Sequence, residues 1–189
     1  IEGGAGADTI LGGAGTDHIS GGDGNDAINV TTFSDFKTSG GVETVDGGAG
    51  TDSLNFAANA VLTLTAPELS QLTAIETITM ATQGNAATLT FGNETFTNLG
   101  APSLALVSNT GAGVTTIDGS AVSNGSFLII NNGTANTDDS YAGGTGDDVF
   151  RFGVTTNGLD GDDTVTGNGG SDTIQLDAAA ANVSALSLI

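Results

Sequence analysis

Large apolar residues recur along the chain at a spacing of nine, each in a short apolar-polar alternation that follows a glycine-rich turn. The shared pattern is Gly-Gly-x-Gly-x-Asp-x-U-x, where U is a large apolar residue and one glycine is displaced in some copies. Because strand residues alternate sides, the three residues after the aspartate predict a short strand with U facing the core. The copies are residues 3–11, 12–20, 21–29, 47–55, 143–151, 158–166 and 167–175, and the predicted core row is Ile10, Ile19, Ile28, Leu54, Phe150, Val165 and Ile174.

The glycine turns have the chemistry of a site for a hard cation. Glycines at positions one, two and four permit positive φ and turn carbonyl oxygens inward, and the aspartate at position six adds a carboxylate. Calcium takes about six to eight oxygen ligands, which is more than one turn supplies. If two nonapeptides make one coil, turns eighteen residues apart stack, and a cation fits between them. Asp8 and Asp26 have this separation.

Two more segments fit the repeat at positions six and eight, although they lack most of its glycines. They are residues 38–46, with Glu43 and Val45, and residues 134–142, with Asp139 and Tyr141. Together with an eight-residue step at 30–37 that places Asp35 at position six, the first of them is expected to make residues 3–55 one continuous roll. Residues 152–157 are interpreted as a six-residue insertion between copies.

Between residues 56 and 133 the glycine turns fade, and apolar residues alternate with Thr or Asn. This alternation predicts strands at residues 61–65, 75–80, 87–91, 104–107, 114–117 and 127–130. Thr65 and Glu68 have the spacing of a capping box, with a proline in the first turn, which predicts a short helix at residues 66–72. The sequence therefore predicts a solenoid that continues through irregular coils.

Composition supports a thin, repetitive core. The 189 residues include 31 Gly, 8 Phe, 1 Tyr and no Trp, which is too few large side chains for layered helices. The 22 acidic residues are balanced by only two basic residues, Lys37 and Arg151. The resulting formal charge of -20 repels nucleic acid and anionic membranes. That charge also opposes compaction unless a cation neutralises it. Cysteine is absent, which excludes disulfides and thiolate sites.

The candidate catalytic residues are few. The single histidine, His18, stands at position seven of a repeat and is expected to face outward from a strand. A serine hydrolase needs a base beside its nucleophile, and the sequence contains no G-x-S-x-G motif. Nearly all close acidic pairs, such as Asp147 and Asp148, fall in predicted cation turns. We therefore expect no enzyme activity in this segment.

The repeats resemble the RTX nonapeptides of proteins exported by type I secretion systems. This resemblance implies an all-β fold, a right-handed parallel β-roll with calcium ions between stacked turns, and position-six ligands. The ligands it implies are Asp8, Asp17, Asp26, Asp52, Asp148, Asp163 and Asp172, to which we add Asp23, Glu43 and Asp139 from matched or partly matched turns.

We expect three segments, a roll at residues 1–55, a Thr-rich irregular solenoid at 56–133 and a second roll with an end segment at 134–189. Because a repeat already starts at Gly3, we expect a piece of a longer protein. The Thr-rich composition of residues 56–133 resembles that of RTX-type surface-layer proteins and large RTX adhesins, which implies an extracellular structural role. Its partners would be calcium and either further copies or cell-surface polysaccharide.

Two other functions stay open. One is the carboxy-terminal folding and secretion module of an exoenzyme such as a protease, lipase or epimerase. The aspartate-rich stretch that follows the roll in many such enzymes is absent here, where Asp177 is followed by four alanines. The other is an ice- or carbohydrate-binding face, which would need a more regular array of threonine pairs.

Overall fold

The structure is a computed structural model in which most residues form short parallel strands. It describes residues 1–30, 37–38, 41–42, 44–56, 62–80, 86–93, 98–99, 103–108, 113–131, 137–153, 159 and 161–177. The strands, numbered in chain order, stack into three parallel sheets. The chain is therefore nearly all β and forms a β-solenoid, as the sequence predicts.

Three sheets form the walls of the solenoid. The four-stranded sheet consists of β1 (Glu2–Ala5), β3 (His18–Asp23), β7 (Thr44–Ala49) and β10 (Leu72–Thr73). The eight-stranded sheet consists of β2 (Thr9–Leu11), β4 (Ala27–Val30), β8 (Ser53–Phe56), β11 (Thr77–Met80), β13 (Ser103–Ser108), β15 (Ser126–Asn131), β17 (Val149–Phe152) and β19 (Thr173–Leu176). The five-stranded sheet consists of β9 (Leu62–Leu64), β12 (Ala87–Gly92), β14 (Thr115–Ala121), β16 (Ser140–Ala142) and β18 (Thr164–Thr166). A separate antiparallel pair joins β5 (Lys37–Thr38) to β6 (Gly41–Val42).

The register confirms that two nonapeptides make one coil at the start of the chain. Gly4 pairs with Gly22 in the four-stranded sheet, and Ile10 pairs with Ile28 in the eight-stranded sheet. Both pairs are eighteen residues apart in sequence. The next coil is longer, because Ile19 pairs with Val45. The strand at Val45 nevertheless continues the same sheet.

The core is a column of apolar side chains that alternate with half-buried or exposed neighbours along most strands. The predicted core row is confirmed, since six of its seven residues are buried and Ile174 packs against them half-buried. Val45 and Tyr141, from the two incomplete repeats, are buried as well. The rings of Phe91 and Phe127 meet edge to face with centroids 5.4 Å apart. Each nonapeptide therefore contributes one large side chain to the narrow interior.

The predicted helix is shorter than expected. It begins with a capping box in which the Glu68 carboxylate accepts the Thr65 backbone N–H at 2.7 Å. The helix α1 (Ala66–Leu69) then ends at Leu69. Leu72 belongs to β10 instead, where it pairs with Val45 and is fully buried. Burial against the four-stranded sheet thus overrides the helical start.

The Thr-rich middle forms strands at the predicted places. Strands β9, β11, β12, β13, β14 and β15 overlap the six predicted segments. The eight-stranded sheet contains strands from all three of the predicted segments of the chain. Among the described residues, none of the helical segments has the length and apolar character needed to cross a membrane.

Candidate metal sites

Four acidic side chains form a row at the turns that lead from the four-stranded to the eight-stranded sheet. We call Asp8, Asp26, Asp52 and Glu76 the first acid row. The backbone N–H of Asp8 donates to Oδ1 of Asp26 at 2.8 Å, and the N–H of Asp26 donates to Oδ1 of Asp52 at 2.7 Å. The N–H of Asp52 donates to Oε2 of Glu76 at 2.7 Å. Each of the last three carboxylates therefore uses one oxygen to hold the preceding turn.

The second oxygen of these aspartates has a different environment. Oδ2 of Asp8, Asp26 and Asp52, and likewise of Asp17, is buried without a hydrogen-bond partner among the described residues. Asp26 and Asp52 are 2% and 1% exposed. A buried carboxylate oxygen that lacks a donor is costly unless a cation or a proton compensates its charge. These oxygens are therefore suited to bind a cation.

The glycine at position one provides space, which corrects part of the prediction. Glycines at positions two and four of the early turns have positive φ, for example +109° at Gly22 and +129° at Gly24. Gly21, at position one, is not among the residues with positive φ. A Cβ added to Gly21 would lie 2.3 Å from both Asp26 Oδ2 and the carbonyl oxygen of Gly47. Only a residue without a side chain leaves these two oxygens room to face a common ion.

The same arrangement occurs at the preceding turn. A Cβ on Gly3 would lie 2.8 Å from Asp8 Oδ2 and 2.5 Å from the carbonyl oxygen of Gly21. Among the described residues, no group of three His, Cys, Asp or Glu side chains is placed to hold a metal. A bound ion would therefore depend on backbone carbonyls for most of its ligands, as calcium sites commonly do. The oxygen donors fit calcium, and Asp8, Asp26 and Asp52 would hold it.

The later repeats form a corresponding pair of turns. The N–H of Asp148 donates to Oδ1 of Asp172 at 3.0 Å, and a Cβ on Gly143 would lie 2.1 Å from Asp148 Oδ2. This oxygen also accepts the Gly144 N–H at 2.8 Å. Burial raises the pKa of the Asp148 carboxyl above its ordinary value, with a smaller contribution from the charge of Asp172. The raised pKa reflects the cost of keeping this charge inside the solenoid.

Asp139 is placed differently from the other candidates. Its Oδ1 accepts the Thr115 N–H at 2.6 Å, and its Oδ2 accepts the Tyr141 hydroxyl at 3.1 Å and the Asn131 amide at 3.4 Å. Protein donors therefore already stabilise both oxygens of this buried carboxylate. Burial, together with the charge of Asp139, raises the pKa of Tyr141 well above its ordinary value. The role of Asp139 as a calcium ligand stays a prediction.

The remaining candidates are not brought together in one place. Asp17 lies in a turn on the other side of the solenoid, and Glu43, its counterpart by sequence, lies outside the described residues. Asp23 is exposed at the end of β3, and Asp172 is exposed as well. Oδ1 of Asp163 accepts the Asp139 N–H at 2.9 Å. Their roles as ligands also stay predictions.

Sequence reasoning missed Glu76 as a member of the first acid row. Glu76 is half-buried and follows Ala74, whose φ of +50° lies in the left-handed region. The only signal in the sequence is an acidic residue two positions before a buried isoleucine, as in the repeats. Without glycines around it, that signal is too common to identify a turn.

Comparison with known proteins agrees with the repeat pattern. The family model of the RTX calcium-binding nonapeptide repeat matches the chain in 4 copies, over residues 1–35, 38–55 and 157–179. No curated protein and no solved structure matches the chain. The matched residues contain Asp8, Asp26 and Asp52, whose buried oxygens face the carbonyls of stacked turns. The chain therefore contains RTX calcium-binding nonapeptide repeats, and these form part of a parallel β-solenoid.

Proposed function

We propose that the chain is a calcium-dependent structural segment of a large secreted bacterial surface protein, either a surface-layer subunit or an adhesin. The observation that carries this proposal is the set of buried, unpartnered Oδ2 atoms of Asp8, Asp17, Asp26 and Asp52. Bound calcium would supply the positive charge that these oxygens lack. The segment itself contributes shape and stability rather than catalysis.

Folding controlled by calcium follows from the charge balance. At a formal charge of -20, the metal-free chain repels itself, and its buried carboxylates are desolvated without compensation. Extracellular calcium sites typically have dissociation constants of about 10⁻⁴–10⁻³ M. They would fill outside a cell and stay empty inside it, so that binding free energy becomes folding free energy only after export.

A structural role is supported by the contacts that the one histidine and the turn acids make between neighbouring coils. His18 is exposed on β3, and its Nδ1 shares a hydrogen bond with the Thr44 hydroxyl. The acidic residues of the turns bond to backbone amides, which stabilises the stack. The partners proposed are calcium and either further copies of the chain or surface polysaccharide.

A calcium titration monitored by circular dichroism and light scattering tests this proposal. The chain starts in chelator, calcium is raised into the millimolar range, and magnesium serves as the control ion. We expect β-structure to appear with calcium, followed by growth of particles. Folding with calcium but without growth would favour the alternative, a folding module of an exoenzyme. Folding that is indifferent to chelator would refute calcium control.

A further inference from the structure

The first acid row continues beyond the nonapeptide repeats into a turn of unrelated sequence. Strand β10 pairs with β7 so that Thr73 lies opposite Asp46, and β11 pairs with β8 so that Thr77 lies opposite Ser53. The three residues 74–76 between β10 and β11 therefore connect the same two sheets as the six residues 47–52. Ala74 stands in register with the position-one glycine, and Glu76 stands in register with the aspartate.

We call residues 74–76 the contracted turn. Its hydrogen bonds repeat those of the glycine turns. Asp52 donates its N–H to Glu76 at 2.7 Å, as Asp26 donates to Asp52. Thr77 donates its N–H to the carbonyl of Asp52 at 3.1 Å, as Ser53 donates to the carbonyl of Asp26 at 2.9 Å. The contracted turn therefore docks under residues 47–52 in the manner of a full repeat.

An unpartnered carboxylate oxygen faces the space between these two turns. Asp52 is 1% exposed, and its buried Oδ2 has no hydrogen-bond partner among the described residues. A Cβ on Gly47 would lie 2.8 Å from this oxygen and 2.0 Å from the carbonyl oxygen of Ala74. At the repeat above, Gly21 has the same relation to Asp26 Oδ2 and the Gly47 carbonyl.

We propose a calcium site between residues 47–52 and the contracted turn 74–76, ligated by the Asp52 carboxylate and the Ala74 carbonyl. Glu76 is a positioning residue, because it holds the Asp52 amide and adds negative charge beside the site. Ala74 and Glu76 lie outside the residues that the family model matches. The inference rests on the proposed calcium-binding function and extends it from the nonapeptides into the Thr-rich middle of the solenoid.

Counting bound calcium in the full chain tests the site. Asp52→Asn keeps an Oδ1 acceptor for the Asp26 amide but replaces the anionic Oδ2 with an amide that can donate to the Ala74 carbonyl. Asp46→Asn is the matched control, since exposed Asp46 accepts the Gly48 N–H of its own turn at 3.2 Å and Asn can do the same. Asp26→Asn removes the corresponding oxygen from a nonapeptide site. The ions are counted by equilibrium dialysis with atomic absorption.

The expected result is one calcium ion fewer per chain in Asp52→Asn than in Asp46→Asn. An equal count in these two variants, with one ion lost in Asp26→Asn, overturns the contracted site and leaves the nonapeptide sites intact. A parent chain that binds no calcium overturns both the site and the proposed function.

A second pair of variants decides the matter if Asp52→Asn fails to fold. Glu76→Gln keeps an oxygen for the Asp52 amide and loses the charge, while Glu2→Gln makes the same change at an exposed position. We expect Glu76→Gln to weaken the binding of one ion by about tenfold, because one charge near a divalent ion is removed. Binding curves that coincide for the two variants overturn the proposal.

Discussion

Filling the space at a position-one glycine should remove one calcium ion without placing a side chain at positive φ. The test is Gly21→Ala, because the φ of Gly21 is not positive and alanine can adopt it. The added Cβ would lie 2.3 Å from Asp26 Oδ2 and from the Gly47 carbonyl oxygen, so both must move apart. Overpacking of this kind costs about 1–3 kcal/mol.

The loss of the ion adds a second, calcium-dependent effect. A site that is lost no longer contributes its binding free energy, which grows by about 1.4 kcal/mol for each tenfold rise in calcium above its dissociation constant. The free energy of unfolding, plotted against the logarithm of calcium concentration, should therefore have a slope lower by about 1.4 kcal/mol per tenfold. The steric cost shifts the line, whereas the lost ion changes its slope.

Urea unfolding at several saturating calcium concentrations gives this slope, and a folded metal-free chain is not required. Gly161→Ala is the control, since a Cβ there meets nothing within 4 Å and its backbone φ is not positive. We expect the control to keep the parent slope. If Gly21→Ala keeps it as well, while losing stability, the space at Gly21 serves packing and holds no ion.

Two further predictions concern the core. Leu54→Ala should lower the free energy of unfolding by about 2–5 kcal/mol, because Leu54 is fully buried. Leu11→Ala, at 55% exposure, should change it by at most about 0.5 kcal/mol in the same urea assay. Tyr141→Phe should cost about 1 kcal/mol, since the hydroxyl donates to Asp139. The pKa of Tyr141 is raised by burial, so its contribution is complete below the unfolded pKa of about 10 and is lost as pH rises through the folded value. The parent melting temperature should therefore fall above pH 10 more steeply than that of Tyr141→Phe, and parallel curves would contradict this reasoning.

The coil and its core were predictable because the repeat carries its own register. Each nonapeptide places a large apolar residue two positions after an aspartate, so Ile10 and Ile28 had to face the same side once a coil held two repeats. The alternation of apolar and polar residues predicted the strands of the Thr-rich coils as well. These predictions depend on local sequence alone, which is why they agree with the structure.

Features that depend on stacking were not predictable. Glu76 takes the place of an aspartate only because β10 and β11 dock in register beneath residues 47–52, and no glycine marks that turn. The hydroxyl of Tyr141 reaches Asp139 through the interior. The early end of α1 at Leu69 also follows from packing, since Leu72 is buried in the four-stranded sheet. A single sequence does not reveal these contacts between coils.

The two oxygens of the Asp26 and Asp52 carboxylates have different roles between neighbouring coils. In Asp26, Oδ1 holds the amide of Asp8 in the preceding turn, while Oδ2 faces the Gly47 carbonyl of the following turn. The hydrogen bond forms within the protein, but the second contact brings two oxygens together and is repulsive unless a cation lies between them. Calcium bound there would therefore add a further contact between coils that strand pairing and the core already join. In a structure where coils contact mainly their neighbours, each filled site would add its own increment to the stability that packing and strand pairing provide.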